Sequence, residues 1–174
     1  MSTNPQNGLP RYRSRVDPDW LDYNGHMNVA YYTLVFDKAG EAWVESVGMG
    51  EAHTRETGYS WMVAEAHITY QNEVRSGEQL EVETRVLAVD DKRIHLFQTM
   101  VKQVDTGVVA TNEQLILHVD LRLRRVQPFP AEIYAKLRQL WTMQDRFAPP
   151  VEAGRSISMA SRRPKPTLPH GSQR

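Results

Sequence analysis

The sequence predicts an α+β domain in which one long helix packs across a five-stranded, mainly antiparallel sheet. From Val29 to Gly48, apolar residues recur every three or four positions, as in an amphipathic helix. From Tyr59 to Val126 they alternate with polar residues, and short turn sequences interrupt that alternation. The chain has 174 residues, enough for one domain with a buried core.

The five strands are predicted from this alternation and from the turns between them. The first is short, because Pro10 and Pro18 bracket it. In the second strand, Trp61 and Glu65 fall on the same face. The predicted strands are Arg11 to Asp17, Tyr59 to about Tyr70, Leu80 to Ala88, Arg93 to Val104, and Val108 to Val126, the last following a hairpin turn at 105–107.

The long helix has residues that favour helix ends at both termini. Asn28 is a suitable N-cap, and Gly48 suits the left-handed position after the last turn. Gly40 costs about 1 kcal/mol relative to alanine in mid-helix, which indicates a close flat partner such as a sheet. We expect residues 48–58 to form a loop.

A second, shorter helix is predicted to begin at Pro130, with an apolar stripe of Ile133, Leu137, Leu140 and Trp141. Beyond Phe147 the chain is rich in proline, serine and arginine and has no periodicity. We therefore predict a flexible N-terminus at 1–10, a folded domain at 11–146 and a disordered basic tail at 147–174.

The amino-acid composition excludes several kinds of partner and of catalytic site. Lys plus Arg equals Asp plus Glu at 21 each, so the protein has no net charge that would attract nucleic acid or an anionic membrane surface. The absence of cysteine excludes disulfides, thiolate metal sites and a cysteine nucleophile. The histidines lack a metal-ligand spacing, so we expect no metal. Without a long apolar segment or signal sequence, a cytoplasmic protein is expected.

The segment WLDYNGHMN, residues 20–28, concentrates polar groups directly before the long helix. Amides near Val29 at the helix N-terminus have no helical acceptor and could hold a carbonyl oxygen that becomes negative on attack. The Asp22 carboxylate could attack that carbonyl or activate a water, and Gly25 would let a substrate approach the backbone. His26 could donate a proton or orient the substrate. The alternative is structural: Asp22, Asn24 and Gly25 are ordinary turn residues, and Asn28 could be only a cap.

The pattern D-x-N-G-H-M-N, together with the strand sequence ITYQNEVRSGEQLEV, closely resembles hotdog-fold acyl-CoA thioesterases of the 4-hydroxybenzoyl-CoA thioesterase type. The resemblance covers about Tyr12 to Met143. It implies a hotdog fold, Asp22 as nucleophile or general base, and a helix amide near Val29 that polarises the thioester carbonyl. It also implies an acyl-CoA substrate, no cofactor beyond the coenzyme A of that substrate, and a site at a dimer interface. One sheet packed on one helix leaves its edge and outer face uncovered, so we expect a homodimer or homotetramer.

The block W-L-D-Y-N-G-H-M-N further resembles a group that hydrolyses betainyl-CoA in carnitine breakdown. Betainyl is a trimethylammonium acid, and aromatic faces bind such cations at about 0.5 to 2 kcal/mol each. Trp20, Tyr23 and Trp61, with the nearby acid Glu65, could supply such a cage, and Asn24, Gly25 and Asn28 could contact the substrate.

Two other functions stay open at this stage. A hotdog enoyl-CoA hydratase would use a paired Asp and His, but its usual D-x-N-P-x-H pattern is missing. A non-catalytic acyl-CoA sensor would keep the pocket without needing Asp22. Several basic residues could meet the phosphates of coenzyme A, and the sequence does not select among Arg75, Lys92, Arg93, Arg122, Arg124 and Arg125.

Overall fold

The computed structural model describes residues 2–3, 9–104 and 107–159. Its strands are β1 (Ser2–Thr3), β2 (Pro10–Arg15), β3 (Tyr59–Tyr70), β4 (Gln79–Val89), β5 (Arg93–Lys102), β6 (Val108–Asp120) and β7 (Arg125–Val126). Its helices are α1 (Val29–Val47), α2 (Glu51–Thr57) and α3 (Ala131–Asp145), and a short 3-10 turn spans Pro18–Trp20. No helix in these ranges is long and apolar enough to cross a membrane.

The strands form one antiparallel sheet in the order β1-β2-β4-β5-β6-β3, with β7 paired to β6. The predicted α+β class, with one long helix across an antiparallel sheet, is confirmed. In the described part of the chain, β3 pairs only with β6, so its other edge is open. Unpaired edges of this kind favour association with a second chain.

Helix α1 begins and ends where the sequence predicts. The Asn28 side chain caps it by accepting a hydrogen bond from the Ala30 amide, and Gly48 follows it with φ +92°. Tyr32, Phe36 and Ala39 pack in one half of the core with Leu80, Met100 and Ala110, which belong to β4, β5 and β6. Trp43 and Val47 pack on the far half of the sheet, where α3 closes the core. The helix therefore lies along the sheet, and its N-terminus points toward the WLDYNGHMN segment.

Two predictions are wrong, one about the loop after α1 and one about the end of the last strand. Residues 51–57, which we expected in a loop, form α2 between Gly50 and Gly58. The last strand ends at Asp120 instead of running to Val126, because the Asp120 carboxylate accepts the amides of Arg122 and Leu123 and turns the chain. β7 then pairs back onto β6.

A bulge in β3 corrects the predicted face of Glu65. The register pairs Val63 with Ile116 but Glu65 with Leu115, so Ala64 is the extra residue. A bulge of this kind reverses the side-chain alternation beyond it. Trp61 packs against the helix side of the sheet, whereas Glu65 lies in a cavity on the opposite face.

The segment after α3 runs back over the outer face of the sheet. The Arg85 guanidinium donates to the carbonyls of Gln144 (2.9 Å) and Ala148 (2.6 Å), and also to that of Phe147. The Gly154 amide donates to the Glu113 carboxylate at 2.8 Å. The rest of the predicted tail (160–174), most of the predicted flexible N-terminus (1 and 4–8) and residues 105–106 of the predicted hairpin lie outside the described residues.

Candidate active site

The Asp22 carboxylate lies in a tight turn closed by its own backbone. The Gly25 amide donates to the Asp22 carbonyl (3.0 Å), and the Asp22 amide donates to the His26 carbonyl (2.9 Å). One carboxylate oxygen, Oδ1, accepts the Asn24 amide at 2.8 Å. Gly25 has φ +77°, a conformation that a glycine adopts without steric cost. Because Oδ1 is held by the turn, Oδ2 is the oxygen available for chemistry.

Two further backbone hydrogen bonds attach this turn to the rest of the fold. The Met27 amide donates to the Val74 carbonyl (2.7 Å), and the Asn28 amide donates to the Trp20 carbonyl (2.9 Å). The Met27 side chain is buried in the core. The segment before α1 is therefore anchored to the connection between β3 and β4.

The N-terminus of α1 leaves one amide available beside this turn. The Ala30 amide donates to Asn28 Oδ1, and the Tyr31 amide donates to the Asn28 carbonyl, each at 3.0 Å. Among the hydrogen bonds of the described residues, none uses the Val29 amide. Such a free donor at the positive end of a helix suits a carbonyl oxygen that gains charge.

Asp22 and Val29 line the same groove. Its volume is about 340 Å³, and its walls are Asp22, Met27, Val29, Tyr32, Tyr70, Gln71, Asn72 and Glu73. The carboxylate and the helix start predicted as two parts of one site thus share one cavity. The second wall, from the end of β3 and the residues after it, was not predicted as part of the site.

The two walls are linked by a tyrosine and by a contact between His26 and Glu73. The Tyr32 hydroxyl donates to the Asn72 carbonyl at 3.3 Å, and its ring meets Tyr70 edge-on. Burial, and then the negative charge of Glu73, raise the pKa of the Tyr32 phenol above its usual value, so it stays a neutral donor. His26 Nε2 lies 3.0 Å from Glu73 Oε2, which joins the Asp22 turn to the opposite wall.

The predicted aromatic cage is not assembled within a single chain. Trp20 stacks on Tyr31 with ring centroids 5.2 Å apart, and Tyr23 is 98% exposed. Trp61 lines a separate cavity of about 510 Å³ whose carboxylates belong to Glu41, Glu45 and Glu51. Glu65, beyond the bulge, lines a third cavity with His67, His95 and Glu113.

Within the described ranges, no group of three or more histidine, aspartate or glutamate side chains is placed to hold a metal ion. The site that the geometry offers is a carboxylate opposite a free amide. That pair can act on a carbonyl carbon directly.

Comparison with known proteins decides the family. The Thioesterase-like superfamily matches residues 16–137, which contain the whole groove. The chain belongs to this family. The resemblance seen in the sequence is thereby confirmed, as are the hotdog type of fold and the assignment of the chain as a thioesterase.

Three similar proteins show how far this thioesterase resembles its relatives. The betainyl-CoA thioesterase of Pseudomonas aeruginosa is 33% identical over 87% of this chain and 95% of that protein. A hypothetical protein from Staphylococcus aureus, solved in complex with CoA, is 26% identical with a TM-score of 0.82, over 87% of this chain and 96% of the other. A candidate thioesterase from Pseudomonas putida is 34% identical with a TM-score of 0.77, over 88% and 98%.

Proposed function

We propose that this thioesterase hydrolyses a small acyl-CoA to the free acid and coenzyme A at the groove between Asp22 and Val29. The observation that carries the proposal is the shared groove, in which a carboxylate with one uncommitted oxygen lies with a free helix amide. The CoA complex of the Staphylococcus aureus protein and the name of the Pseudomonas aeruginosa relative support a CoA thioester as substrate.

The proposed reaction breaks the bond between the acyl carbon and sulfur. The Val29 amide stabilises the carbonyl oxygen while Asp22 either attacks the acyl carbon or takes a proton from a water that attacks it. The thiolate of coenzyme A leaves and is protonated. If Asp22 attacks directly, an acyl-Asp22 anhydride forms and water hydrolyses it in a second step.

For the acyl group we propose betainyl, a trimethylammonium acid. The Pseudomonas aeruginosa relative is named for this substrate. The cavity of Trp61 and three glutamates combines an aromatic face with negative charge, the chemistry that binds quaternary ammonium. Within one chain, however, Glu41 lies twelve positions after Val29 along α1, or about 18 Å away. A betainyl group is much shorter than that.

A homodimer would remove this separation. Tyr70, at one end of β3, lines the Asp22 groove, and Trp61, at the other end, lines the acidic cavity. Antiparallel pairing of two β3 edges places opposite ends of the strand side by side. We therefore propose a dimer joined along β3, in which the partner's Trp61 lies beside Asp22.

Release of free thiol from a panel of acyl-CoAs tests the activity. We expect turnover of short-chain acyl-CoAs by the purified protein. If none of the panel is cleaved above the background rate, the proposed function is wrong.

The choice of acyl group is tested by comparing betainyl-CoA with 3,3-dimethylbutyryl-CoA, which has the same shape without the charge. We expect a higher kcat/KM for betainyl-CoA. Trp61→Leu should reduce that preference about tenfold, because a cation–π contact contributes up to about 2 kcal/mol. Equal kcat/KM values for the two substrates in the parent protein would eliminate the cation hypothesis.

A further inference from the structure

A second, larger cleft continues from the Asp22 groove. Its volume is about 920 Å³, and it shares Gln71, Asn72 and Glu73 with the groove. From there it extends to Arg75, Glu78 and Lys102. A substrate whose acyl end lies at Asp22 would therefore leave the groove through this cleft.

The charges of the cleft leave one cation uncommitted. Lys102 Nζ pairs with Glu78 Oε1 at 3.0 Å, and His26 pairs with Glu73. The other oxygen of Glu78 accepts the Arg75 amide at 2.7 Å. The Arg75 guanidinium itself makes no hydrogen bond or ion pair in the part of the chain that the structure describes. Its charge helps to lower the pKa of Glu78, but the guanidinium donors are free to bind an anion.

Glu78 holds this arrangement in place as an anion. Burial alone would raise its pKa, but the hydrogen bonds from the Arg75 amide and the Lys102 ammonium hold the pKa below its usual range. The carboxylate therefore fixes the turn that carries Arg75 and the position of Lys102 at neutral pH.

The other basic residues that could meet an anion are paired with acids or lie away from the cleft, and Lys92, in the turn between β4 and β5, lines neither the cleft nor the Asp22 groove. Arg93 pairs with Asp90 (2.6 Å), and Arg122 lies 3.7 Å from Asp120. Arg124 and Arg125 line a cavity beside β7, which is separate from the Asp22 groove. The structure thus favours Arg75 among the basic residues that the sequence left undistinguished.

We infer that the cleft from Gln71 to Lys102 binds the pantetheine and phosphate part of coenzyme A, with the Arg75 guanidinium on the diphosphate. This inference rests on the proposed function. Guanidinium groups bind phosphate oxygens through paired charge-assisted hydrogen bonds. Gln71 lies where the groove meets the cleft, and its amide nitrogen has only long contacts, 3.5 Å to Thr69 and to Glu152. It can therefore turn toward the amides of the pantetheine arm.

The test compares one acyl group on two thiols. Acyl-CoA carries the phosphates, and the acyl thioester of N-acetylcysteamine lacks them. In Arg75→Gln we expect the ratio of kcat/KM for acyl-CoA over the short thioester to fall about tenfold, because a hydrogen bond to a charged group contributes about 1.5 to 3 kcal/mol. Arg55→Gln, an exposed arginine on α2, should keep the parent ratio. An unchanged ratio in Arg75→Gln overturns the inference.

Calorimetric titration with free coenzyme A separates this inference from the proposed function, because it requires no turnover. We expect Arg75→Gln to bind coenzyme A about tenfold more weakly than the parent and Arg55→Gln to bind it equally. Dephospho-CoA lacks the 3′-phosphate but keeps the diphosphate. If Arg75→Gln weakens its binding as much as it weakens the binding of coenzyme A, Arg75 contacts the diphosphate. Equal affinities of parent and Arg75→Gln for coenzyme A would overturn the inference even if the protein hydrolyses thioesters.

Discussion

At the scale of single residues, the turn at Asp22 decides which oxygen can react. The Asn24 amide holds Oδ1, so the carboxylate is oriented by backbone atoms that no side-chain substitution removes. Replacing Asp22 by asparagine therefore preserves the hydrogen bond while removing the charge and the nucleophile.

For Asp22→Asn we expect kcat for acyl-CoA hydrolysis to fall by about 10² to 10⁴, the usual contribution of a positioned acid or base. Thiol release under saturating substrate measures it. Asp19→Asn, on the exposed 3-10 turn three residues earlier, is the matched control and should keep parent activity. Parent-like rates in Asp22→Asn would rule out the proposed mechanism.

His118 gives the stability of the protein a pH dependence. The side chain is 1% exposed, and its Nδ1 lies 2.9 Å from the Gln127 carbonyl, which can only accept. Burial, opposed in part by that hydrogen bond, lowers the pKa of His118, and nearby His53 lowers it further. The unfolded chain protonates near the ordinary histidine pKa of about 6.5. Below that pH the unfolded state binds more protons, so stability falls as pH falls through the lower folded pKa.

His118→Asn should make the free energy of unfolding depend less on pH below about 6.5, because asparagine can donate to Gln127 but does not titrate. Urea denaturation at several pH values measures it. A parent-like slope in His118→Asn would show that other groups cause the acid sensitivity.

The residues of the site were only partly predictable from the sequence. Asp22 and Val29 belong to one continuous segment, where a polar turn meets a helix start, and both line the groove. Tyr32 and Glu73 were missed because they are 41 positions apart and meet only through the fold. The run Gln71-Asn72-Glu73, polar residues directly after an alternating strand, was the available signal.

At the scale of elements, Gly40 shows how closely α1 approaches the sheet. A Cβ added there would lie 3.8 Å from the Trp61 ring and 3.9 Å from Gln98 Nε2, which are ordinary contact distances. A methyl group therefore fits between α1 and the sheet.

Gly40→Ala should stabilise the protein by about 0.5 to 1 kcal/mol, the gain in helix propensity, because no contact opposes it. Chemical denaturation measures the change. Gly48→Ala is the comparison: its φ of +92° is strained for alanine, so that variant should be less stable than the parent. A destabilised Gly40→Ala would mean that the helix cannot accept a methyl group at this position.

The three features that the sequence did not predict were missed for different reasons. Helix α2 buries none of its residues, so it carries no apolar stripe. The end of β6 is hidden because Leu121 and Leu123 continue the alternation, while the turn depends on the hydrogen bonds of Asp120. The bulge at Ala64 depends on how β3 pairs with β6, and these two strands are distant in sequence.

At the scale of the whole molecule, the open edge of β3 is the surface that should join two copies. Val63 is 40% exposed on this strand, and Met62 beside it is 50% exposed. A lysine on an edge strand opposes pairing with another edge.

Val63→Lys should shift the protein from dimer to monomer, as measured by sedimentation equilibrium, and should reduce betainyl-CoA hydrolysis if the partner's Trp61 completes the site. Val151→Lys, an 89% exposed valine in the segment after α3, is the control and should leave the assembly unchanged. A parent protein that sediments as a monomer would contradict the dimer.

The strands are synthesised in an order that differs from their order in the sheet. β2 pairs with β4, and β3 pairs with β6, so α1 and β3 leave the ribosome long before the strands that cover them. The apolar face of α1 packs on β2 and β4 and shares its core with residues of β5 and β6, so its burial is not complete before about residue 120 has emerged. Folding that depends on such distant contacts is slow and exposes the nascent chain to aggregation. Chaperone binding during translation, between the emergence of α1 and of β6, is the expected consequence of this topology.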